Sequence, residues 1–159
     1  MIKVQHEDFD IGLLQQDLTE RADNPGAVVC FTGLVREFYD SPDPGNKTQQ
    51  QDPVVALELE HYPGMTEKAL QSIVEQASVR WSVQACTVIH RTGRLHVGDQ
   101  IVYVGVASAH RGDAFSAANF IMDYLKTSAP FWKKQHRQSG AEWVSHRESD
   151  ELARARWER

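Results

Sequence analysis

The chain has no long apolar run. Hydrophobic residues make up 41% of its 159 residues, yet no stretch approaches the ~18 consecutive apolar residues that a membrane helix needs. The first residues also lack the basic and then apolar pattern of a secretory signal. We therefore expect a cytoplasmic protein, and the length favours a single domain over residues 1–159 with a substantial core.

Cysteine is scarce. Cys30 and Cys86 are the two thiols, and neither has the C-x-x-C spacing that is typical of redox and zinc sites. The two thiols could form one disulfide. Because both lie in apolar, strand-like runs, we expect instead two buried, reduced cysteines.

Several motifs with well-known chemistry are missing. The seven histidines show neither H-x-H nor H-E-x-x-H spacing, so we predict no metal site. The sequence contains no G-x-S-x-G nucleophile elbow, no G-x-x-x-x-G-K-[ST] phosphate loop and no G-x-G-x-x-G dinucleotide motif. These absences argue against common hydrolase and nucleotide-binding classes, and we predict no resident cofactor.

Strand and helix patterns alternate along the chain. Apolar runs predict strands at 2–5, 26–33, 55–62, 85–90 and 100–108, and a hairpin of strands near 131–136 and 141–145. Asp10, Thr66 and Asp113 are expected to begin helices, and residues 150–157 resemble a short, charged helix. The almost wholly apolar strand at 100–108 is expected to be central. This order predicts the α+β class, with helices packed on a mainly antiparallel sheet.

Two connections and one helix face carry further predictions. Residues 93–99 are expected to be a loop that joins two strands. Residues 40–53 are poor in apolar side chains and rich in helix breakers, which predicts a mobile loop. Such a loop is compatible both with an insertion that has no role and with a lid over a site. The third helix has helical spacing of apolar residues that predicts a buried face of Phe115, Ala118, Ile121, Met122 and Leu125.

Positive charge gathers at three places although the formal net charge is −5. Arg36 follows a predicted strand directly before the long loop, and His110 and Arg111 follow another strand at the start of a helix. Lys126 and Lys133 lie on either side of a proline. Each residue alone is compatible with an ordinary surface position or, for His110, a structural histidine. The coincidence of three basic groups at element ends predicts a site for a small anion or an acidic tail.

Six sequence blocks carry a resemblance to a known family. They are FTGLVR at 31–36, LEHYPGM at 59–65, VIHRTG at 88–93, SAHR at 108–111, DYLKT at 123–127 and PFWK at 130–133. In this order the chain resembles the large, catalytic subunit of molybdopterin synthase, from about Gly26 to Glu148. The family resemblance implies an α/β hammerhead-like domain with an added antiparallel β-sheet.

The resemblance also implies a reaction and its participants. The family transfers sulfur to cyclic pyranopterin monophosphate and forms the dithiolene of molybdopterin during molybdenum cofactor biosynthesis. The sulfur comes from the C-terminal Gly-Gly thiocarboxylate of a small ubiquitin-like partner subunit. Two large subunits form a central homodimer, and a small subunit at each end completes a heterotetramer. Because the sulfur travels on the partner, neither Cys30 nor Cys86 is needed as a nucleophile.

Residue roles follow from the same resemblance together with the basic groups. Lys126 and Lys133 are the expected catalytic residues, acting beside the thiocarboxylate and the reacting carbon. Arginine suits phosphate oxygens because its planar fork donates two parallel hydrogen bonds. The expected substrate-binding residues are Leu34, Val35, Arg36, His110, Arg111, Lys134, Gln135 and Arg147.

Two other classes of function and one assembly question stay open at this point. A non-catalytic module could use the basic groups to dock an acidic tail, and a phosphate-ester enzyme unrelated to pterins could use them to bind its substrate. Phe131, Trp132 and Trp143 supply more aromatic surface than a small core needs, which favours a homodimer. Arg147 is expected to reach the neighbouring subunit's site, with a plain surface arginine as the alternative.

Overall fold

The computed structural model describes residues 1–37, 52–144 and 148–158. The strands are β1 (Ile2–Gln5), β2 (Ala27–Leu34), β3 (Val54–His61), β4 (Val83–Arg91), β5 (Gly93–His96), β6 (Gln100–Ser108), β7 (Phe131–Arg137) and β8 (Gly140–Val144). The helices are α1 (Ile11–Arg21), α2 (Met65–Arg80), α3 (Arg111–Ser128) and α4 (Glu148–Ala155). Except for its last two residues, the predicted loop at 40–53 lies outside the described residues, and so does Arg147.

Two four-stranded sheets form the framework, with strand orders β1-β4-β6-β2 and β5-β3-β7-β8. The strand pair β1–β4 is parallel, whereas the other described pairs are antiparallel. Strand β6 is central in the first sheet, as its apolar run predicts, and its last seven residues are buried. The α+β class and the additional antiparallel sheet are confirmed.

The prediction that residues 93–99 form only a loop is wrong, because Gly93–His96 is strand β5 of the second sheet. Gly93 pairs with Leu59, and Leu95 pairs with Leu57. Gly93 adopts a positive φ of 81°, which favours glycine and lets the chain turn directly from β4 into β5. Leu95 is 1% exposed, and its burial holds this short strand against the second core.

The helices cover both faces of the first sheet. Helices α2 and α3 pack on one face around a core that includes Leu70, Val88, Val104 and Phe120. Helix α1 covers the other face, where Leu18 packs on Ala85 and Ala107. A smaller core under the second sheet contains Val35, Val54, Leu57, Leu59 and Leu95. The two sheets therefore have separate cores, which leaves a space where they meet.

Helix starts agree only partly with their predicted caps. Asp10 caps α1 as predicted, and its Oδ1 accepts a hydrogen bond from the Leu13 N–H at 3.0 Å. Thr66 does not cap α2. Gly64 holds that position at a φ of 80°, and its N–H donates to Glu67 Oε2 at 2.7 Å. The buried Thr66 hydroxyl donates instead to the carbonyl of Pro130 at 3.1 Å, which ties the start of α2 to the end of α3.

The predicted buried face of α3 is confirmed at Ala118, Ile121 and Leu125. Met122 is partly buried against the same core, whereas Phe115 is 57% exposed. The buried stripe is centred on Ala114, Ala117 and Ala118, whose small side chains let the helix approach the sheet closely. Residue 115 lies about 100° around the helix from residue 114 and so falls outside this stripe. The apolar spacing alone did not reveal that alanines define the packed side.

The two cysteines lie in different surroundings. Cys86 is buried, and burial raises the pKa of its thiol to about 11. Cys30 is exposed, which contradicts its predicted burial, because it lies on the edge strand β2. Its Sγ lies 3.1 Å from the hydroxyl of Tyr103. Both thiols are free, so no disulfide joins them.

No helix in the described ranges combines the length and the hydropathy that are needed to cross a membrane.

Candidate active site

A cavity of about 620 Å³ opens where the two sheets meet the end of α3. Its floor is a row of residues across three strands of the first sheet, Gly33 on β2, Val102 on β6 and His90 on β4, which are register partners. Register partners in antiparallel strands point to the same face of a sheet. The floor therefore lies at the end of the face that α3 covers.

Gly33 has no side chain that would project from this floor into the cavity. A Cβ at this position would lie 2.8 Å from Cγ1 of Val102, closer than side-chain atoms approach without displacement. Phe31 lies two residues earlier on the same face and also lines the cavity. The Phe31-Thr32-Gly33 stretch thus supplies an aromatic wall and a flat floor.

Three cations face the cavity, namely Arg36, Lys126 and Lys133. Arg36 lies two residues after the end of β2, and Lys126 lies in the last turn of α3. The chain reverses at Ala129 and Pro130 and enters β7, which brings Lys133 beside the helix end. Of the basic residues that the sequence predicts to share one site, these three therefore converge within one chain.

An acid from α4 also enters the cavity. Asp150 Oδ1 lies 3.3 Å from Lys126 Nζ, and the Asp150 side chain is 21% exposed. Helix α4 is held in place by Asp123 of α3, which accepts hydrogen bonds from Arg156 and from the Trp157 indole N–H, both at 2.7 Å. Sequence reasoning missed Asp150 because it lies in an ordinary charged helix whose docking position no motif specifies.

His90 is the buried polar group of the floor, and sequence reasoning noted it only as part of a family block. Its ring stacks on Phe131 with a centroid distance of 3.8 Å and an interplanar angle of 20°. Nδ1 lies 2.8 Å from the carbonyl oxygen of Arg91. Burial lowers the pKa of His90 to about 4, so the imidazole is neutral near pH 7.

The rest of the lining is mostly apolar. Leu34, which is 51% exposed, contributes to it. Other apolar lining residues are Phe31, Leu57, Leu59, Ile101, Met122, Leu125, Phe131 and Val144. A concave, apolar site with a few convergent charged groups is the usual form of a small-molecule site, and these walls suit a flat ring system that carries negative charge.

Three predicted substrate-binding residues do not line the cavity. Val35 is 2% exposed and belongs to the core of the second sheet. Gln135 is buried, and its Oε1 accepts a hydrogen bond from Arg137. Lys134 lies over the ring of Trp143, with Nζ 5.3 Å from the ring centroid. Strand alternation explains the position of Lys134, because the immediate neighbours of Lys133 along β7 point to the other face.

His110 and Arg111 are also separate from the cavity of their own chain. They lie at the start of α3, whereas Lys126 lies in its last turn. Fifteen residues of helix separate Arg111 from Lys126, which corresponds to about 22 Å. Both residues are exposed. One chain therefore does not bring these two basic groups together.

Across the described ranges, no group of three or more His, Cys, Asp or Glu side chains is arranged to hold a metal ion.

Comparison with known proteins places the chain in a family. The family model described as "MoaE protein" matches residues 4–128. The molybdopterin synthase catalytic subunit of Escherichia coli (strain K12) is 53% identical over 156 residues, which cover 98% of this chain and 97% of that protein. A solved molybdopterin biosynthesis MoaE protein from Burkholderia ambifaria is 44% identical, with a TM-score of 0.81 and coverage of 100% of this chain and 98% of the other.

A second solved structure is molybdopterin synthase from Staphylococcus aureus. It is 29% identical with a TM-score of 0.77, and the match covers 90% of this chain and 96% of the other. The family that the six sequence blocks suggested is confirmed. The chain belongs to the MoaE protein family.

Proposed function

We propose that this chain is the catalytic subunit of a molybdopterin synthase. It transfers sulfur from the C-terminal thiocarboxylate of a small ubiquitin-like partner to cyclic pyranopterin monophosphate, and so forms the dithiolene of molybdopterin. One observation carries this proposal: Arg36, Lys126 and Lys133 converge on an apolar cavity in a chain that is similar over nearly its full length to proteins of that name.

The cavity suits the proposed substrate in size and in chemistry. Its volume of about 620 Å³ falls within the range of small-molecule sites. Phe31, Leu57, Leu59 and Met122 offer apolar surface to the fused rings. The guanidinium of Arg36 is suited to phosphate oxygens, since its fork donates two parallel hydrogen bonds.

The two lysines suit the transfer step. The thiocarboxylate is an anion, and an electron pair on its sulfur forms the new C–S bond with the substrate. The oxygen displaced from that carbon needs a proton, and in this proposal an ammonium group of Lys126 or Lys133, which both line the cavity, supplies it. Water then cleaves the acyl–sulfur bond, which leaves the sulfur on the substrate and a carboxylate on the partner's tail. A second transfer completes the dithiolene.

Asp150 gives Lys126 a partner before the tail arrives. The carboxylate of Asp150 and a thiocarboxylate are both anions, so they compete for the same ammonium group. Binding of the partner's tail therefore exchanges one ion pair for another. Before the tail binds, the carboxylate of Asp150 thus offsets the positive charge of Lys126.

A homodimer would supply the remaining basic groups. His110 and Arg111 lie about 22 Å along α3 from Lys126, so we infer that they serve the site of a second copy. A two-fold contact is self-complementary and would complete both sites at once. The exposed Trp132 and Trp143 on the second sheet supply apolar surface for such contacts. With a small subunit at each end, the assembly is a heterotetramer.

Turnover of the pyranopterin substrate with thiocarboxylated partner tests the proposal. Formation of the dithiolene product is the expected result. A chain that binds the partner's tail without product would instead be a docking module, and release of phosphate without sulfur transfer would indicate a phosphate-ester enzyme. Mass spectrometry of partners captured with the chain is expected to reveal a small protein that ends in Gly-Gly. A cytoplasmic location, the single domain over residues 1–159, and a role for Arg147 across the dimer stay predictions.

A further inference from the structure

His90 has a fixed tautomer. A carbonyl oxygen can only accept a hydrogen bond, so the contact between Nδ1 and the carbonyl of Arg91 at 2.8 Å requires a proton on Nδ1. In a neutral imidazole the other nitrogen, Nε2, is then an acceptor. Among the described residues, Nε2 has no hydrogen-bond partner, and the ring lines the cavity.

The surroundings of His90 keep it neutral and immobile. It is 5% exposed, and Phe131 covers one face of its ring at a centroid distance of 3.8 Å. Burial lowers its pKa to about 4, and the nearby His61 adds to this effect. His90 therefore contributes a lone pair, rather than a fourth positive charge, beside Arg36, Lys126 and Lys133.

This lone pair differs from the charged groups of the site. The side chains of Arg36, Lys126 and Lys133 are donors only. Asp150 can accept, but it is an anion that Lys126 already holds. His90 is thus a neutral acceptor on the apolar floor, next to Val102 and Gly33. A neutral acceptor on an apolar floor recognises a neutral donor, such as an N–H group at the edge of a heterocycle.

We propose that Nε2 of His90 accepts a hydrogen bond from a ring N–H of the bound pterin, and so fixes which edge of the rings faces the floor. The proposal rests on the proposed function and adds a specificity-determining contact to it. Phosphate and thiocarboxylate are anions that the cations hold, whereas the pterin rings offer N–H donors. His90 would therefore orient the part of the substrate that the cations do not.

Three substitutions separate this role from a structural one. The side-chain amide of Gln can replace Nε2 of a histidine, whereas the shorter Asn replaces Nδ1. His90→Gln keeps an acceptor toward the cavity, and His90→Asn keeps the contact with Arg91 alone. His90→Phe keeps a ring against Phe131 without either nitrogen. Thermal unfolding of each variant shows whether the fold is retained.

Steady-state kinetics with saturating thiocarboxylated partner is the main measurement. We expect His90→Phe and His90→Asn to raise the KM for the pyranopterin about tenfold, with kcat within about twofold of wild type. We expect His90→Gln to stay within about threefold of wild type in KM, because it restores the acceptor. A contact that is made equally in the ground and transition states changes KM rather than kcat.

Other results would overturn the proposal. An unchanged KM in His90→Phe removes Nε2 from the substrate. If His90→Phe lowers kcat alone, then Nε2 accepts a hydrogen bond from a lysine ammonium group rather than from the substrate. If His90→Asn is fully active and His90→Gln loses activity, then the hydrogen bond to the carbonyl of Arg91 is the important contact. If the wild-type chain forms no product at all, the proposed function fails and this contact fails with it, whereas wild-type turnover with an unaffected His90→Phe rejects only the contact.

A second measurement does not depend on how well the variants fold. Substrate analogues methylated at single ring nitrogens compete with the substrate of the wild-type enzyme. The analogue that blocks the contacted N–H is expected to bind about tenfold more weakly than its isomers. In His90→Phe the isomers should bind alike, since the contact is already lost. Equal binding of all isomers by the wild-type enzyme would contradict the proposal.

Discussion

Lys126 forms an ion pair with Asp150, an acid from helix α4. Its side chain is 53% exposed, and Asp150 lies 3.3 Å away. An exposed ion pair of this kind contributes little to folding, typically about 0–1 kcal/mol. The role of Lys126 is thus expected to appear in catalysis rather than in stability.

Lys126→Ala should abolish sulfur transfer and leave the fold intact. The substitution removes the ammonium group that faces both the thiocarboxylate and the reacting carbon in the proposed mechanism. The free energy of unfolding should change by less than about 1 kcal/mol. Single-turnover product formation is the measurement, and a rate within about twofold of wild type would remove Lys126 from the chemistry.

A second prediction at the residue scale concerns the pH dependence of stability, because the pKa of His90 is lowered from 6.5 to about 4. Between these pH values the unfolded chain binds the proton and the folded chain does not. The free energy of unfolding should therefore fall as the pH drops from 6.5 to 4, by on the order of 3 kcal/mol from this residue. Below pH 4 its contribution no longer changes, since both states are protonated.

Urea unfolding across this pH range checks the prediction. Carboxylates also titrate there, so the relevant quantity is the free energy of unfolding of wild type minus that of His90→Gln. This difference should decrease as the pH falls from 6.5 to 4. Parallel curves for the two proteins would mean that His90 is protonated alike in the folded and unfolded states.

At the scale of the elements, strong periodic signals predicted most strands and helices, and weak ones failed for physical reasons. Strand β5 was not predicted because Leu95 is its only buried residue, and one residue does not make an alternation pattern. Thr66 was predicted to cap α2, but its hydroxyl donates a hydrogen bond to the carbonyl of Pro130 instead. Phe115 resembled a core residue until the alanines of α3 defined the packed side. Each failure arises where tertiary contacts overrule a local preference.

Helix α4 acts on the site through one carboxylate, which allows a test of its role. Asp150→Asn should leave α4 docked, since Asp123 still accepts hydrogen bonds from Arg156 and Trp157. Without the competing anion, the KM for the thiocarboxylated partner should fall by about two- to fivefold. Asp17→Asn is the matched control, because it breaks an exposed ion pair with Arg21 on α1 instead. Equal KM values in both variants would show that Asp150 does not compete with the tail.

At the scale of the whole molecule, the sequence predicted the fold class, the central strand and the basic groups, but not how the groups are distributed in space. Arg36, Lys126 and Lys133 meet because the ends of β2, α3 and the start of β7 come together. His110 and Arg111 lie at the other end of α3. Their predicted common site with Lys126 cannot exist within one chain, because the length of a helix is a rigid distance that residue types do not reveal.

This separation gives the dimer a sharp test. If Arg111 serves the neighbouring site, then mixing Arg111→Ala chains with Lys126→Ala chains creates one intact site in each mixed dimer. Random exchange makes half of the dimers mixed, so activity should recover to about a quarter of wild type at limiting substrate. Arg36→Ala mixed with Lys126→Ala is the matched control, because these two residues line the same cavity and every site in that mixture is damaged.

The control mixture should therefore stay inactive while the first mixture recovers. Subunit exchange is verified by native mass spectrometry, which distinguishes mixed from parental dimers when one chain carries a mass label. Recovery in neither mixture despite complete exchange would place Arg111 outside the active site. A monomer of 18.0 kDa by light scattering at micromolar concentration would contradict the dimer itself. Recovery in the first mixture alone requires that each site draw residues from two chains, as the distance along α3 predicts.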